Sequence, residues 1–302
     1  MTIELRPLEV FARHAAIGVR FWDVARGTAR LDGLQVEVYA RSNPRMRKPM
    51  TPNLSGVYVG HAVPGLHDFE FSDTDPPALW AQAEAALHAC RIEVRDPRGR
   101  FLPLAFDVAL PVPGLLTWSA PWFSPPHPIV LPGTPGSPPQ LMLERIPLFS
   151  AVSRGLPDAL AVVYAQMRDT ASGRPAAWAF LGVTIDGERR GIGLADQDGR
   201  VAAMFPYPEP PRRALASPPE ARGDFSWPVD LEVFWSSASP PAPVPEIPEL
   251  AQLLAQFGAP GQVDDLMASP AASRRLDYRV PLTARTLGAA PADAPWLSVS
   301  AG

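Results

Sequence analysis

The chain has 302 residues, with 27 Lys and Arg against 31 Asp and Glu and a formal net charge of −4. The two signs are interspersed and no basic stripe is available to neutralise phosphates, which speaks against a nucleic-acid binder. Hydrophobic residues make up 46%, enough for real cores, but the 39 prolines are about 13% of the chain against a usual ~5%.

Proline fixes φ and removes a donor, so it breaks helix interiors and central strands. A proline-rich chain with strong apolar segments therefore reads as short strands joined by stiff loops, and this length suits two domains. Cys90 is the sole cysteine, so no intrachain disulfide forms, which fits a reducing compartment. The opening "MTIELRPLEVFARH" shows no apolar h-region, and no run of about 18 apolar residues is present. The expectation is a cytoplasmic protein without a membrane span.

In chain order, residues 17–40 alternate apolar and polar with a period of two, giving two strands separated by a turn that closes on Asp32-Gly33. The basic loop "RSNPRMRKP", 41–49, reads as a solvated connection, with docking of an acidic partner as its functional alternative. Asn53–Gly56 is a turn into a strand at Val57–Val59. Leu79, Ala83, Ala86 and Leu87 approximate helical spacing within 75–89. Two strands follow over 91–111, joined by Asp96-Pro97-Arg98-Gly99, whose Pro and Gly positions suit a type I turn.

Residues 112–145 are rich in Pro and Gly, yet carry Trp118, Trp122 and Phe123. They read as a linker whose aromatics pack onto a neighbouring domain. The strand pattern then restarts with Leu160–Met167, a turn at Thr170–Gly173, Trp178–Ile185, a turn at Asp196–Gly199, Val201–Phe205 and an alternating segment at 229–235. "PELAQLLAQFG", 248–258, places Leu250, Leu253, Leu254 and Phe257 on one helical face and is expected to cap the second domain or dock a partner. A last strand is expected over 275–285.

Residues 17–66 and 159–211 follow one order: strand, turn, strand, polar turn closing on Gly, strand, proline stop. "NLSGVYVGHAVPG" falls where "DQDGRVAAMFPYP" falls, and "RIEVRDPRGRFLPLAFDV" and "VDLEVFWS" close the two runs. This suggests a duplication. Asp196, Asp198 and Gly199 do not fit a calcium loop. Counted from Asp196, Gly falls at position 4 rather than 6, and Tyr207 stands at position 12 where a bidentate Glu is needed. They form a turn.

"TIDGERRGIGLADQDGRVAAMFPYP" resembles the carboxypeptidase regulatory-like or transthyretin-like β-sandwich, with Asp196 and Gly199 at the matching positions; Asn53 and Gly56 stand there in a poorer copy. The resemblance implies a non-catalytic folding, adhesion or assembly module. The two-domain, proline-rich layout is also similar to accessory proteins of phage-tail-like contractile injection systems. That implies protein subunits of a larger assembly as partners.

Candidate chemistry is sparse. His61, His67 and Asp68 lack the helical pairing or cysteine partners of a metal site. Cys90 and His88 lie two apart, so a strand puts both on one face, but no oxyanion element accompanies them. "GIG" at 191–193 is a fragment of a nucleotide motif, not the motif. Asp73/Asp75 and Asp264/Asp265 read as solvated carboxylates. Trp80, Trp118, Trp122 and Trp235, with Phe123, form either core or a platform for a partner or a glycan.

The expected fold is mostly β: two tandem β-sandwich domains of transthyretin-like or immunoglobulin-like type, at 1–111 and 146–302, joined by the 112–145 linker. A short helix lies near 248–258. The expected function is a non-enzymatic structural or interaction protein without a cofactor or metal. A carbohydrate-binding or adhesion module is the alternative.

Overall fold

The computed structural model describes residues 13–28, 31–72, 74, 76–84, 87–112, 114–116, 118–119, 129–130, 141–143, 145–209, 225–236, 244–266, 274–288 and 295–301. The described chain is mostly β. In its first part the strands are β1 (Ile17–Asp23), β2 (Gln35–Ala40), β3 (Lys48–Pro49), β4 (Thr51–Pro52), β5 (Val57–Gly60), β6 (His88–Arg95) and β7 (Leu104–Leu110). Short helices α1 (His67–Glu70) and α2 (Pro76–Glu84) precede β6. The expected linker contributes β8 (Trp118–Ser119), β9 (Ile129–Val130) and β10 (Leu141–Leu143), which pair as a small sheet. The later strands are β11 (Ile146–Leu148), β12 (Leu160–Asp169), β13 (Phe180–Ile185), β14 (Glu188–Leu194), β15 (Arg200–Pro206) and β16 (Ser226–Phe234). Helix α3 (Leu250–Ala255) follows, then β17 (Pro260–Val263), β18 (Arg274–Asp277), β19 (Leu282–Ala284) and β20 (Leu297–Ser300).

The first half holds two four-stranded sheets, ordered β11-β1-β5-β4 and β3-β2-β6-β7. Their alternating apolar residues meet in one cluster, with Val19 and Phe21 of β1, Val36 and Val38 of β2, Ile92 and Val94 of β6, and Leu104 and Phe106 of β7. Period-two patterning dictates this, since one face of each strand must leave water. The strand that opens the second run, β11, pairs in parallel with β1 and completes the first of these sheets.

The second half is one nine-stranded sheet with the path β14-β13-β16-β17-β20-β12-β15, to which β18 and β19 add at β16 and β12. It buries Val163, Ala165, Leu181, Val183, Val201, Ala203 and Val233 in a second cluster. The "GIG" fragment lies on β14. A Cβ at Gly191 would meet the Phe205 ring at 2.3 Å, and one at Gly193 the Ala203 backbone at 2.9 Å. The glycines are there because β14 crosses closely over β15.

The halves share a pairing scheme. β1 pairs antiparallel with β5 as β12 does with β15. β1 pairs in parallel with β11 as β12 does with β19 and β20. β2 pairs antiparallel with β3 and β6 as β13 does with β14 and β16. β6 then pairs with β7 as β16 does with β17 and β18. The halves differ in the β4–β5 pair, which has no counterpart at β15 among the described residues, and in the β17–β20 pair, which joins in the second half what stays two sheets in the first.

Several elements depart from the sequence reading. The strand expected over 275–285 is two strands with different partners, separated by Arg279 at φ 64°. The strand expected from Trp178 starts at Phe180, because Trp178 itself is left-handed at φ 60°. The helix expected over 248–258 is α-helical only over Leu250–Ala255 and ends in a 3₁₀ turn. It does not simply cap the second half: Leu250 is fully buried in the first-half cluster, while Leu253 and Phe257 pack against Phe180 and Phe234 in a cluster between the halves.

That seam has further ties. The Ala105 N–H donates to Pro248 O at 3.0 Å, Trp178 Nε1 to Pro245 O at 3.1 Å, and Gln256 Nε2 to Trp178 O at 2.9 Å. Arg154 forks onto Asp23 at 2.9 and 2.6 Å, with side chains only 6% and 2% exposed. Removing one member of such a pair strands the other charge. We predict that Leu250→Ala costs about 3 kcal/mol, the usual range for an aliphatic side chain deleted from a core. Because the residue belongs to one half by sequence and the other by packing, calorimetry should show a single transition moved down. A second, separate transition would show that the halves melt independently.

Candidate functional site

Among the described residues, a dense group of interacting ionisable side chains lies on the outer face of the β3-β2-β6-β7 sheet. Alternation turns Glu37 and Tyr39 of β2 outward, beside Arg91 and Glu93 of β6 and Asp107 of β7; the register sets Glu37 opposite Glu93 and Arg91 opposite Asp107. Two like charges facing each other across a ladder repel. Arg47, from the basic loop, resolves this by donating to Glu93 at 2.6 Å and to Glu37 at 3.2 Å, while its guanidinium lies 4.4 Å from the Tyr39 ring centroid. The Tyr39 hydroxyl donates to Glu93 at 2.6 Å.

Burial pushes the Glu93 carboxyl up, but hydrogen bonds from Arg47 and Tyr39 outweigh it and hold the group below its ordinary value. Burial, together with the neighbouring Glu93 carboxylate, raises the Tyr39 phenol, so it keeps its proton. At the seam, Arg91 donates to Glu249 at 2.6 Å and to Asp107 at 3.2 Å. Burial raises the Glu249 carboxyl more than Arg91 lowers it. Arg41 Nη1 donates to both carboxylate oxygens of Asp107, at 3.0 and 2.8 Å. Two of the four cations in the 41–49 loop are thus bound to carboxylates of their own sheet, which weakens the docking alternative for that loop.

The remaining sequence candidates scatter. Cys90 and His88 do share a strand face, but Cys90 is wholly buried in the first core and His88 is exposed at its open end. There His88 lines a cleft of about 370 Å³ with Leu66, Phe69, Leu79 and Pro111. Burial pushes the Cys90 thiol up to about 11, leaving about one thiolate in ten thousand at pH 7. His67 is exposed beside Asp68, and among the described residues no group of three His, Cys, Asp or Glu is placed to hold a metal.

Asp264 accepts from the Thr170 and Ser300 hydroxyls, and Asp265 is forked by Arg274; neither is a free solvated carboxylate, as the sequence suggested. Asp73 and Asp75 lie outside the described residues, as do Trp122 and Phe123. The backbone of Trp118 forms β8. Trp80 is half-buried, edge-on to Phe69 at 4.9 Å, and Trp235 is buried.

The turn at Asp196–Gly199 has the geometry expected of it. Asp196 Oδ1 accepts from the backbone N–H of Asp198 and of Arg200, each at 2.9 Å, and Gly199 has φ 74°. Sequence reasoning missed that Asp96–Arg100 is the same device. Asp96 accepts from the N–H of Arg98 and Arg100, its Oδ2 takes the Arg100 Nε at 2.8 Å, and Gly99 has φ 65°. The shared letters Asp-x-x-Gly-Arg were the available signal. Comparison of the chain with protein-family models, curated proteins and solved structures found no match.

Two outcomes follow. Glu93→Gln should cost about 1.5–3 kcal/mol at neutral pH, the range for a hydrogen bond to a charged group. The folded carboxyl titrates below its unfolded value, so this contribution is present at neutral pH and lost as pH falls through the folded value. Urea melts should therefore show the two proteins converging in acid; a constant gap would assign the loss to shape alone. Secondly, a disulfide reagent such as Ellman's should find no reactive thiol in the native protein and one after denaturation.

Proposed function

We propose that this chain is a non-enzymatic structural and interaction protein made of two tandem β-sandwiches of transthyretin-like or immunoglobulin-like type. In this reading it is an accessory component of a phage-tail-like contractile injection particle. The observation that carries it is the use made of the ionisable side chains. Arg47 with Glu93, Arg91 with Glu249, Arg154 with Asp23 and Arg274 with Asp265 each close on a partner within the fold. Groups committed in this way hold a shape rather than move protons, whereas a catalytic pair is left poised toward a cleft.

The repeated pairing scheme supports the tandem reading. The seam supports a stiff two-part body, and stiffness lowers the entropy lost when a surface is fixed in an assembly. Proline-rich loops act in the same direction.

The test is a tagged pull-down from the cell that makes the protein, followed by gradient sedimentation and mass spectrometry. The expected result is a heavy fraction holding sheath, tube or baseplate proteins. A light species running alone overturns the assembly reading.

A further inference from the structure

Six described arginines are buried or half-buried: Arg20, Arg91, Arg100, Arg154, Arg168 and Arg274. Five of them have an evident partner. Arg91 has Glu249, Arg100 has Asp96, Arg154 has Asp23 and Arg274 has Asp265, while Arg168 lies over the Trp296 ring at 4.2 Å. Arg20 is the exception: no carboxylate or ring among the described residues pairs with it. A half-buried guanidinium loses part of its hydration, and this fold elsewhere compensates that loss with a carboxylate or an aromatic face.

The position of Arg20 gives the exception a direction. It sits in the middle of β1, on the outer face of the β11-β1-β5-β4 sheet, where the register sets it beside Val57 and sets Gly18 beside Val59. With these residues and Leu115 it lines a cleft of about 400 Å³, rimmed by exposed Asn53 and Ser55. At Gly18 the side chains of Val57 and Leu115 close over the backbone, so the floor beside the cation is apolar. Cation and apolar floor are two residues apart along one strand, roughly 6.6 Å. An extended chain with a carboxylate at one position and an aliphatic side chain two positions away repeats that spacing.

We infer that this cleft docks an extended segment of a partner protein. The segment's Asp or Glu is forked by Arg20, and its aliphatic neighbour lies on Val59 and on the Leu115 side chain that covers Gly18. The inference rests on the interaction reading above and names a surface within it.

The probe is a fluorescein-labelled, end-blocked heptapeptide, Ser-Glu-Ser-Val-Ser-Glu-Ser, compared by anisotropy with the same peptide carrying Gln for Glu. The Glu peptide should bind about tenfold more tightly than the Gln peptide, the preference expected of a forked ion pair. Arg20→Gln should abolish that preference, and Arg26→Gln, at an exposed arginine without a carboxylate partner among the described residues, should keep it. Val59→Glu, which sets a carboxylate of the chain's own diagonally across the ladder from Arg20, should also abolish it, and serves if Arg20→Gln lowers the melting temperature.

Equal binding of the two peptides, no binding of either, or a preference that survives both variants overturns the inference. The wider reading fails separately: it falls if the wild-type protein runs as a light species. If the wild type and Arg20→Gln sediment equally with the heavy fraction while the peptides do not discriminate, the cleft alone is wrong.

Discussion

Leu250 is carried by the second half of the chain and buried in the core of the first, and the arrangement of the molecule depends on that crossing. To reach it, the chain from Pro245 to Phe257 lies along the edge of β7, giving the Ala105 N–H an acceptor at Pro248. An exposed strand edge invites pairing with other chains, and this segment covers part of one. Trp178 marks the other bank. Its left-handed backbone costs about 1–3 kcal/mol and persists because Pro245 and Gln256 hold its indole and its carbonyl. The seam is thus built from parts that are unfavourable alone and satisfied only together, and such an interface either forms whole or does not form.

The ionic groups follow the same logic. Glu37 and Glu93 face each other because the register demanded by the core leaves no choice; the repulsion is answered by Arg47 arriving from a loop. Arg91 is shared between Asp107 of its own sheet and Glu249 of the crossing segment, which ties the ladder to the seam. The acidic surplus in the composition therefore does not become an acidic face on this sheet. It is neutralised locally, pair by pair, and the exposed pairs contribute little to stability, while breaking a buried one strands a charge.

Much of the first half was legible in sequence. Val36, Val38, Ile92 and Val94 alternate with polar residues and are core where the period places them. Turns closing on Asp96–Gly99 and Asp196–Gly199 carried their own chemistry in their letters. What escaped detection lacked a local signal. β14 opens with Glu188, Arg189 and Arg190 and contains two glycines, so neither period nor propensity marks it; only the close approach of β15, the Phe205 ring at Gly191 and the Ala203 backbone at Gly193, explains the glycines. β17 and β20 are four residues each and are held by pairing with each other and with β16 and β12, which are distant in sequence. The Arg20 cleft was invisible because an arginine outside the core period reads as solvated. Its lack of a partner is a fact about three dimensions.

The Asp-x-x-Gly-Arg turn shows how little a local device decides alone. At Asp96–Arg100 it closes a hairpin, since β6 and β7 pair directly. At Asp196–Arg200 the same hydrogen bonds join strands that do not pair: β14 bonds to β13, while β15 bonds to β12. The side chain fixes the bend; the faces that must be buried fix where the chain goes afterwards. After Asp96 the buried Leu104 and Phe106 lie directly beside Ile92 and Val94 in the same sheet. After Asp196 the buried Val201, Ala203 and Phe205 close over Gly191 and Gly193, which have no side chains to keep the strands apart. Topology here is set by side-chain bulk at the crossing, and the turn permits either outcome.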